Sequence, residues 1–97
     1  MNLQAMMKQA QALQKEMLKT KEEIDKTEFT KKNGFVTVKV NGKKEILSVK
    51  IDSTDLNMDD IEALEDMILI CINQAFRDVD VLTETKMQKY SNIPGLF

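Results

Sequence analysis

Met67-Ile68-Leu69-Ile70-Cys71-Ile72 is an unbroken apolar run inside a longer stretch of helical spacing, Asp59 to Met87. A helix with such a run has almost no wet side. One seam passes through Ile61, Leu64, Ile68, Cys71, Ile72, Ala75, Val79 and Leu82; a second passes through Ala63, Met67, Ile70, Gln74 and Val81. At about 100° per residue the seams are centred roughly 120° apart, and a helix apolar on several faces is buried on several faces. A chain of 97 residues has enough sheet to cover one seam and little left for the other. The expectation is an obligate oligomer, most simply a symmetric homodimer, with Ala63, Met67, Ile70 and Gln74 in the dimer interface. A break in the helix is allowed for near Leu82-Thr83.

The two flanks of this helix complete the architecture. Upstream, Asn33-Gly34 and Asn41-Gly42 are both dipeptides of the type I′ hairpin turn, set among strand-like runs. Two-residue loops there would place Phe29 opposite Val38 and Val36 opposite Leu47. One sheet face then carries Phe29, Val36, Val38, Val40, Leu47, Val49 and Ile51. The other carries Lys32, Phe35, Thr37, Lys39, Lys44, Ile46, Ser48 and Lys50, with Glu28 facing Lys39. Asp52 to Leu56 reads as a turn, and Asn57 as the N-cap of the long helix, with Asp59, Asp60 and Glu62 in its first turn.

Further upstream, Asn2 to about Lys26 is a helix. Leu3, Ala10, Met17 and Ile24 recur every seven residues, and Met6 and Leu13 complete an a/d-like seam interrupted by Thr20. Neither Gly nor Pro intervenes. Downstream, Pro94-Gly95 ends any helix, and Leu96 and Phe97 are expected to dock on apolar surface. The predicted fold is α+β: an N-terminal helix, a three-stranded antiparallel β-meander and a long C-terminal apolar helix, all in one domain over residues 1–97.

Composition excludes several classes of function. The chain has no histidine and one cysteine, so zinc, haem and iron–sulfur sites lack ligands and the commonest general base is missing. Glycine occurs only at positions 34, 42 and 95, which leaves no phosphate-cradling glycine loop. Cys71 lies within the main seam and reads as a small buried apolar residue, not a reactive thiol. Asp59, Asp60, Asp66 and Asp80 are acids that bind Mg²⁺ in other settings. Here capping and solubility explain them better. The expectation is a non-enzyme without cofactors or metal. No apolar run approaches the length of a membrane span and no secretory signal is evident, which suits a cytoplasmic protein.

Net charge is only −2, but it is segregated. Lys31 to Lys50 holds six lysines and one acid, whereas Asp52 to Glu84 holds ten acids and one basic residue, Arg77. On the first helix, Lys8, Lys15, Lys19 and Lys26 lie at about 120–160° from Leu3, nearly opposite the seam. A solvated stripe accounts for such lysines, and edge-strand protection accounts for those of the sheet. A polyanion would find the same lysines by a local field. With arginine nearly absent, bidentate reading of guanine is poorly supplied, so DNA binding would be weakly selective and steeply salt-dependent. Few aromatics are available for stacking on single strands.

Several stretches, taken in order, resemble a known family. Met6-Met7-Lys8-Gln9-Ala10-Gln11 opens the first helix, Val38-Lys39-Val40-Asn41-Gly42 lies in the meander and Val49-Lys50-Ile51-Asp52 closes it. Leu64-Glu65-Asp66-Met67-Ile68 and Ile72-Asn73-Gln74-Ala75 lie on the long helix, Thr85-Lys86-Met87 precedes the tail, and Ile93-Pro94-Gly95-Leu96-Phe97 ends the chain. This order and spacing resemble the YbaB/EbfC family of bacterial nucleoid-associated proteins over nearly the whole chain. The resemblance implies a tweezer-like homodimer whose protruding helices bind double-stranded DNA. It also implies a place in the nucleoid, a role in its organisation or in gene regulation, and no catalysis. On this chain the protruding parts are the first helix and the terminal helical segment, with Lys8, Lys15, Lys19, Lys86 and Lys89 as the DNA-binding residues. The lysine-bearing sheet face is a second candidate. A protein partner docking on the amphipathic first helix, in DNA replication or repair, is the alternative, and it requires the Leu3-Met6-Ala10-Leu13-Met17-Ile24 seam to be exposed.

Overall fold

The computed structural model describes residues 2–54 and 56–91. Helix α1 spans Leu3–Lys26, with the Asn2 side chain accepting a hydrogen bond from the Gln4 amide at 2.9 Å as its N-cap. It ends without a glycine: Thr27 takes an extended conformation and its hydroxyl donates to the Glu23 carbonyl. Three antiparallel strands follow, β1 (Glu28–Asn33), β2 (Val36–Asn41) and β3 (Ile46–Ile51), in the order β1-β2-β3. Asn57 then caps a 3₁₀ turn, Met58–Asp60, in a reciprocal box: Asn57 accepts from the Asp59 amide and Asp60 accepts from the Asn57 amide, each at 3.0 Å. Helix α2 runs Ile61–Met87 and a second 3₁₀ turn, Gln88–Tyr90, completes the described chain. The α+β class and the element order agree with the sequence pattern.

The core is α2 laid on the valine face. Val36, Val38 and Val40 of β2 and Cys71, Ala75 and Val79 of α2 are all buried, flanked by Phe29, Leu64, Met67, Ile68, Ile72 and Phe76. The stripe that meets the sheet is made of small side chains, so the helix approaches closely. Cys71 is part of the packing, as its seam position implies, and its thiol is directed at the Val36 and Lys31 carbonyls, 3.7 and 3.6 Å away.

Three local expectations are corrected. The helix does not break at Leu82-Thr83. The Thr83 and Thr85 hydroxyls donate to the Val79 and Val81 carbonyls, both at 2.8 Å, which lets these β-branched residues sit within α2. The first hairpin turns one residue later than expected. Phe29 pairs with Val40 and Asn33 with Val36, so Gly34-Phe35 is the loop, with one positive φ at Gly34 instead of the two that a type I′ turn needs. Phe35 is held there by its amide, which points at the Met67 sulfur (3.4 Å), and by its carbonyl, which accepts from Asp52 (2.7 Å). A shift of two in register keeps the faces unchanged, so the valine face survives.

The second hairpin is also longer than expected. Asn41 accepts from the Lys43 and Glu45 amides through its side chain and closes a loop over Gly42, Lys43 and Lys44, in which Lys44 takes the left-handed conformation (φ 61°). Val36 pairs with Ile51 and Val38 with Val49, but Val40 pairs with Ile46, leaving Leu47 as the extra residue of a β-bulge. Ile46, not Leu47, therefore lies opposite the last buried valine. Gly42 serves close approach and not a positive φ: a Cβ there would collide with the Ile24 carbonyl at the end of α1.

Beyond the sheet, α2 runs on beside α1 to form a rod, and the molecule measures 71 × 18 × 13 Å. Ile24 is buried and Leu13, Met17 and Thr20 are half-buried, whereas Leu3, Met6 and Met7 above them are exposed. The lower part of the α1 seam is covered and the upper part stands free. The expected docking of Leu96 and Phe97 and the Pro94-Gly95 stop lie outside the described residues.

Replacing Gly42 with alanine should lower unfolding stability by about 2 kcal/mol or more, because rigid backbone at Ile24 must move. Gly34→Ala meets only the flexible end of Met67, 2.6 Å from the added carbon, together with the left-handed backbone penalty. Urea titration of both variants should rank Gly42→Ala as the more damaging.

Candidate nucleic-acid interface

Lys8, Lys15 and Lys19 are exposed along one side of α1, turned away from the covered part of its seam. At about 1.5 Å rise per residue the row spans roughly 16 Å, beside a duplex that presents one charge about every 1.7 Å of axis. No acid lies within ion-pair distance of these three among the described residues. Lys86, in the last turn of α2, is likewise exposed and unpaired among the described residues. The fold thus brings Lys86 to the same end of the molecule as the α1 row.

Lys89 stands apart from the other four. Its ammonium donates to the Glu16 carboxylate and sits 5.1 Å from the centroid of the Tyr90 ring. The Tyr90 hydroxyl donates to the same Glu16 oxygen at 3.1 Å and lies 3.2 Å from the Thr20 hydroxyl. Tyr90 is fully buried, which fixes the end of α2 against the middle of α1. Hydrogen bonds from Lys89 and then Tyr90, with the charge of Lys89 behind them, hold the Glu16 carboxyl below its ordinary value. The hydrogen bonds to Glu16 and Tyr90 raise Lys89. Sequence reasoning missed this latch. Its only signal was a lone tyrosine with a polar tip beside a lysine near a helix end.

The sheet lysines are more heavily engaged. Lys31 pairs with Asp78 at 3.0 Å, Lys44 with Asp80 at 2.7 Å and Lys39 with Glu28 at 3.7 Å. Lys44, expected on the outer sheet face, reaches α2 instead and lies 6.0 Å from the Phe76 ring centroid, because the longer loop swings it round. Part of the segregation of charge along the sequence is therefore cancelled in space: basic strands sit beside the acidic helix. Lys32 and Lys50 remain exposed on the outer face without ion-pair partners among the described residues.

The residues expected at a dimer interface are divided. Met67 is half-buried under the first hairpin, while Ala63, Ile70 and Gln74 are exposed. No helix in the described residues is long and apolar enough to cross a membrane, and no three or more His, Cys, Asp or Glu side chains among them are placed to hold a metal ion.

Helix, meander and helix define a small α+β protein, with a row of exposed lysines on α1 that is unpaired among the described residues. The chain belongs to the YbaB/EbfC DNA-binding family, whose sequence profile matches residues 1–93. It is 44% identical to a nucleoid-associated protein of Clostridium novyi, over the whole of this chain and 90% of the relative. It is 42% identical to a nucleoid-associated protein of a Thermoanaerobacter species, over 99% of this chain and 91% of the relative. A nucleoid-associated protein of Chloroflexus aurantiacus is 39% identical over the full length of both. These are DNA-binding proteins of the nucleoid, not a family of enzymes.

The latch should report its own titration, because Tyr90 is the chain's one tyrosine and there is no tryptophan. Glu16 is lowered, so its stabilising contribution is complete above its ordinary value of 4.5 and is lost as pH falls through the lower folded value. Lys89 is raised, so its contribution is lost only as pH climbs through a value above the ordinary 10.5. Tyrosine fluorescence followed in acid should change with a midpoint below 4.5, and Glu16→Gln should abolish that step.

Proposed function

We propose that this protein binds double-stranded DNA as a homodimer, mainly through lysine–phosphate contacts, and takes part in nucleoid organisation or gene regulation in the cytoplasm. The observation that carries this reading is the row of Lys8, Lys15 and Lys19, exposed and unpaired among the described residues along α1, with Lys15 and Lys19 beside the stretch packed on α2 and Lys8 beyond the Glu16–Tyr90 latch. Lys86, exposed in the last turn of α2, is the fourth lysine of the proposed surface. Lys89 belongs to the proposed surface through position alone, since binding a phosphate means competing with Glu16 for its ammonium. Lysine point charges without arginine forks favour affinity for the backbone over readout of bases. The acidic residues of α2 are partly neutralised by Lys31 and Lys44, which lowers the repulsion a duplex would meet along the body.

Dimerisation belongs to the same reading. Ile70 and Val81 on the second seam of α2 are 43% and 57% exposed in the subunit, and the flank of Ala63, Met67, Ile70 and Gln74 is one candidate face for a partner copy.

A second reading, a protein-interaction adaptor in DNA replication or repair, keeps only the upper part of its seam, since Leu13 and Met17 are half-buried and Ile24 is buried. Leu3, Met6 and Met7 are 70%, 45% and 55% exposed at the upper end of α1, the kind of pliable Met-rich strip that helical partners use.

Mobility shifts at low salt should weaken sharply as salt is added and vary little with DNA sequence. Replacing Lys8, Lys15 and Lys19 with alanine should weaken binding to all sequences alike and flatten the salt slope by about one per lysine that meets a phosphate. Lys89→Ala should have a smaller direct effect. Unchanged affinity in the triple variant would move the site elsewhere. Co-purification of a protein that survives nuclease treatment and is lost on Met6→Glu would favour the adaptor.

A further inference from the structure

Glu16 stands at the edge of the lysine row. It follows Lys15 directly and precedes Lys19 by three residues, so Glu16 and Lys19 are neighbours on the surface of α1, about 60° apart and about 4.5 Å along the axis. It does not neutralise the row, since neither Lys15 nor Lys19 comes within ion-pair distance of it among the described residues. Its partners come instead from the end of α2. The Lys89 ammonium and the Tyr90 hydroxyl converge on one oxygen, Oε1, the hydroxyl at 3.1 Å, and the Thr20 hydroxyl lies 3.2 Å from the phenol oxygen. The other ion pairs among the described residues each bring a single donor to the acid: Lys31 to Asp78, Lys44 to Asp80 and Lys39 to Glu28. The phenol is fixed and the acid is not. Tyr90 is fully buried, whereas the Glu16 and Lys89 side chains are 49% and 61% exposed.

An ammonium and a phenol hydroxyl aimed at one oxygen form an anion cradle, and Glu16 fills it from within the chain. We propose that this cradle is a phosphate site of the DNA surface, with Lys89 and Tyr90 as its donors, and that Glu16 is a built-in phosphate mimic which a backbone phosphodiester must displace. The site rests on the DNA-binding reading above and adds to it a contact that the free protein keeps closed. The chemistry matches: a phosphodiester carries the same single charge as a carboxylate and offers two free oxygens, so both donors find acceptors on it. The position matches as well. Each strand of a duplex presents a phosphate every 3.4 Å or so of axis, so a strand lying on Lys19 carries further phosphates past the neighbouring Glu16 and its Lys89 partner. Ion pairs as exposed as this one hold weakly, and half of the Glu16 side chain already faces solvent, so the acid has somewhere to go. The same hydrogen bonds keep the Glu16 carboxyl below its ordinary value, so at neutral pH the mimic is ionised and in place. Glu16 is thereby the counterion of Lys89. A lysine that releases no salt ion on binding adds nothing to the salt dependence, and the latch hides one charge from DNA.

The test is a double-mutant cycle with the full chain, titrated onto labelled duplex DNA by fluorescence anisotropy over a series of salt concentrations. Circular dichroism checks the fold of each variant; a glutamine at position 16 still accepts from Tyr90. Glu16→Gln should tighten binding about threefold or more and steepen the slope of log affinity against log salt by about 0.9, because Lys89 then exchanges a salt ion for a phosphate. In a Lys89→Gln background the same change should do neither. A gain of equal size in both backgrounds means that Glu16 acts only as a nearby negative charge, and the cradle is wrong. Unchanged or weaker binding by Glu16→Gln overturns it too. Inorganic phosphate tests the other source of the same chemistry. At equal ionic strength it should compete with DNA no better than chloride does; stronger competition that disappears with Lys89→Gln would assign the cradle to the free anion instead of the DNA backbone. If replacing Lys8, Lys15 and Lys19 weakens binding while the cycle is additive, the cradle alone fails. If that triple variant binds normally and the cycle behaves as expected, the row fails and the cradle stands. A chain that binds no DNA at low salt ends both.

Discussion

The contact between the small-residue stripe Cys71-Ala75-Val79 and the valines of β2 is the constraint on which the rest depends. Short side chains bring the helix axis close to the sheet, and closeness limits reach. A helix seated this low shields the strand beneath it and one neighbour, and here the neighbour is β1. Everything unusual about the surface follows from that choice. The third strand keeps its valine and isoleucines in water, the flank of α2 above it stays bare, and the far seam at Ile70 and Val81 faces outward.

The same seat fixes the direction of the rod. From Cys71 beside Val36, α2 leaves the sheet near Val40, and after Val79 it packs, among the described residues, on α1. The latch at Glu16, Tyr90 and Lys89 closes that stretch. Above it, α1 is exposed among the described residues, with lysines facing solvent on one side and methionines on another. A projecting helix with separate basic and apolar faces is a general tool. The chain's family is a DNA-binding one, and the basic face of α1 is the surface proposed above for that contact.

Charge shows how sequence order and spatial order diverge. The basic meander and acidic helix look like a polarised molecule when read in line. In space Lys31 and Lys44 lean onto Asp78 and Asp80, and the local fields cancel in part. Lys8, Lys15 and Lys19 of α1 escape this cancellation, since no acid of the described residues comes within ion-pair distance of them. Their availability is a consequence of where α1 points, not of how many lysines the chain contains.

Periodicity alone determined the element order, the valine face, the burial of Cys71 and the Asn57 cap, since each rests on spacing within a few residues. The two registers were only half legible: the turn dipeptides marked the hairpins, but Met67 beneath Phe35 and the end of α1 against Gly42 chose the loop lengths. Among the site residues, the stripe of Lys8, Lys15 and Lys19 was visible on a helical wheel. The capture of Lys89 by Glu16, seventy-three positions away in the chain, was not. Tertiary structure alone decided which lysines are spent on ion pairs and which strand goes uncovered. Those outcomes depend on helix width and on contacts between distant segments, and local spacing carries neither.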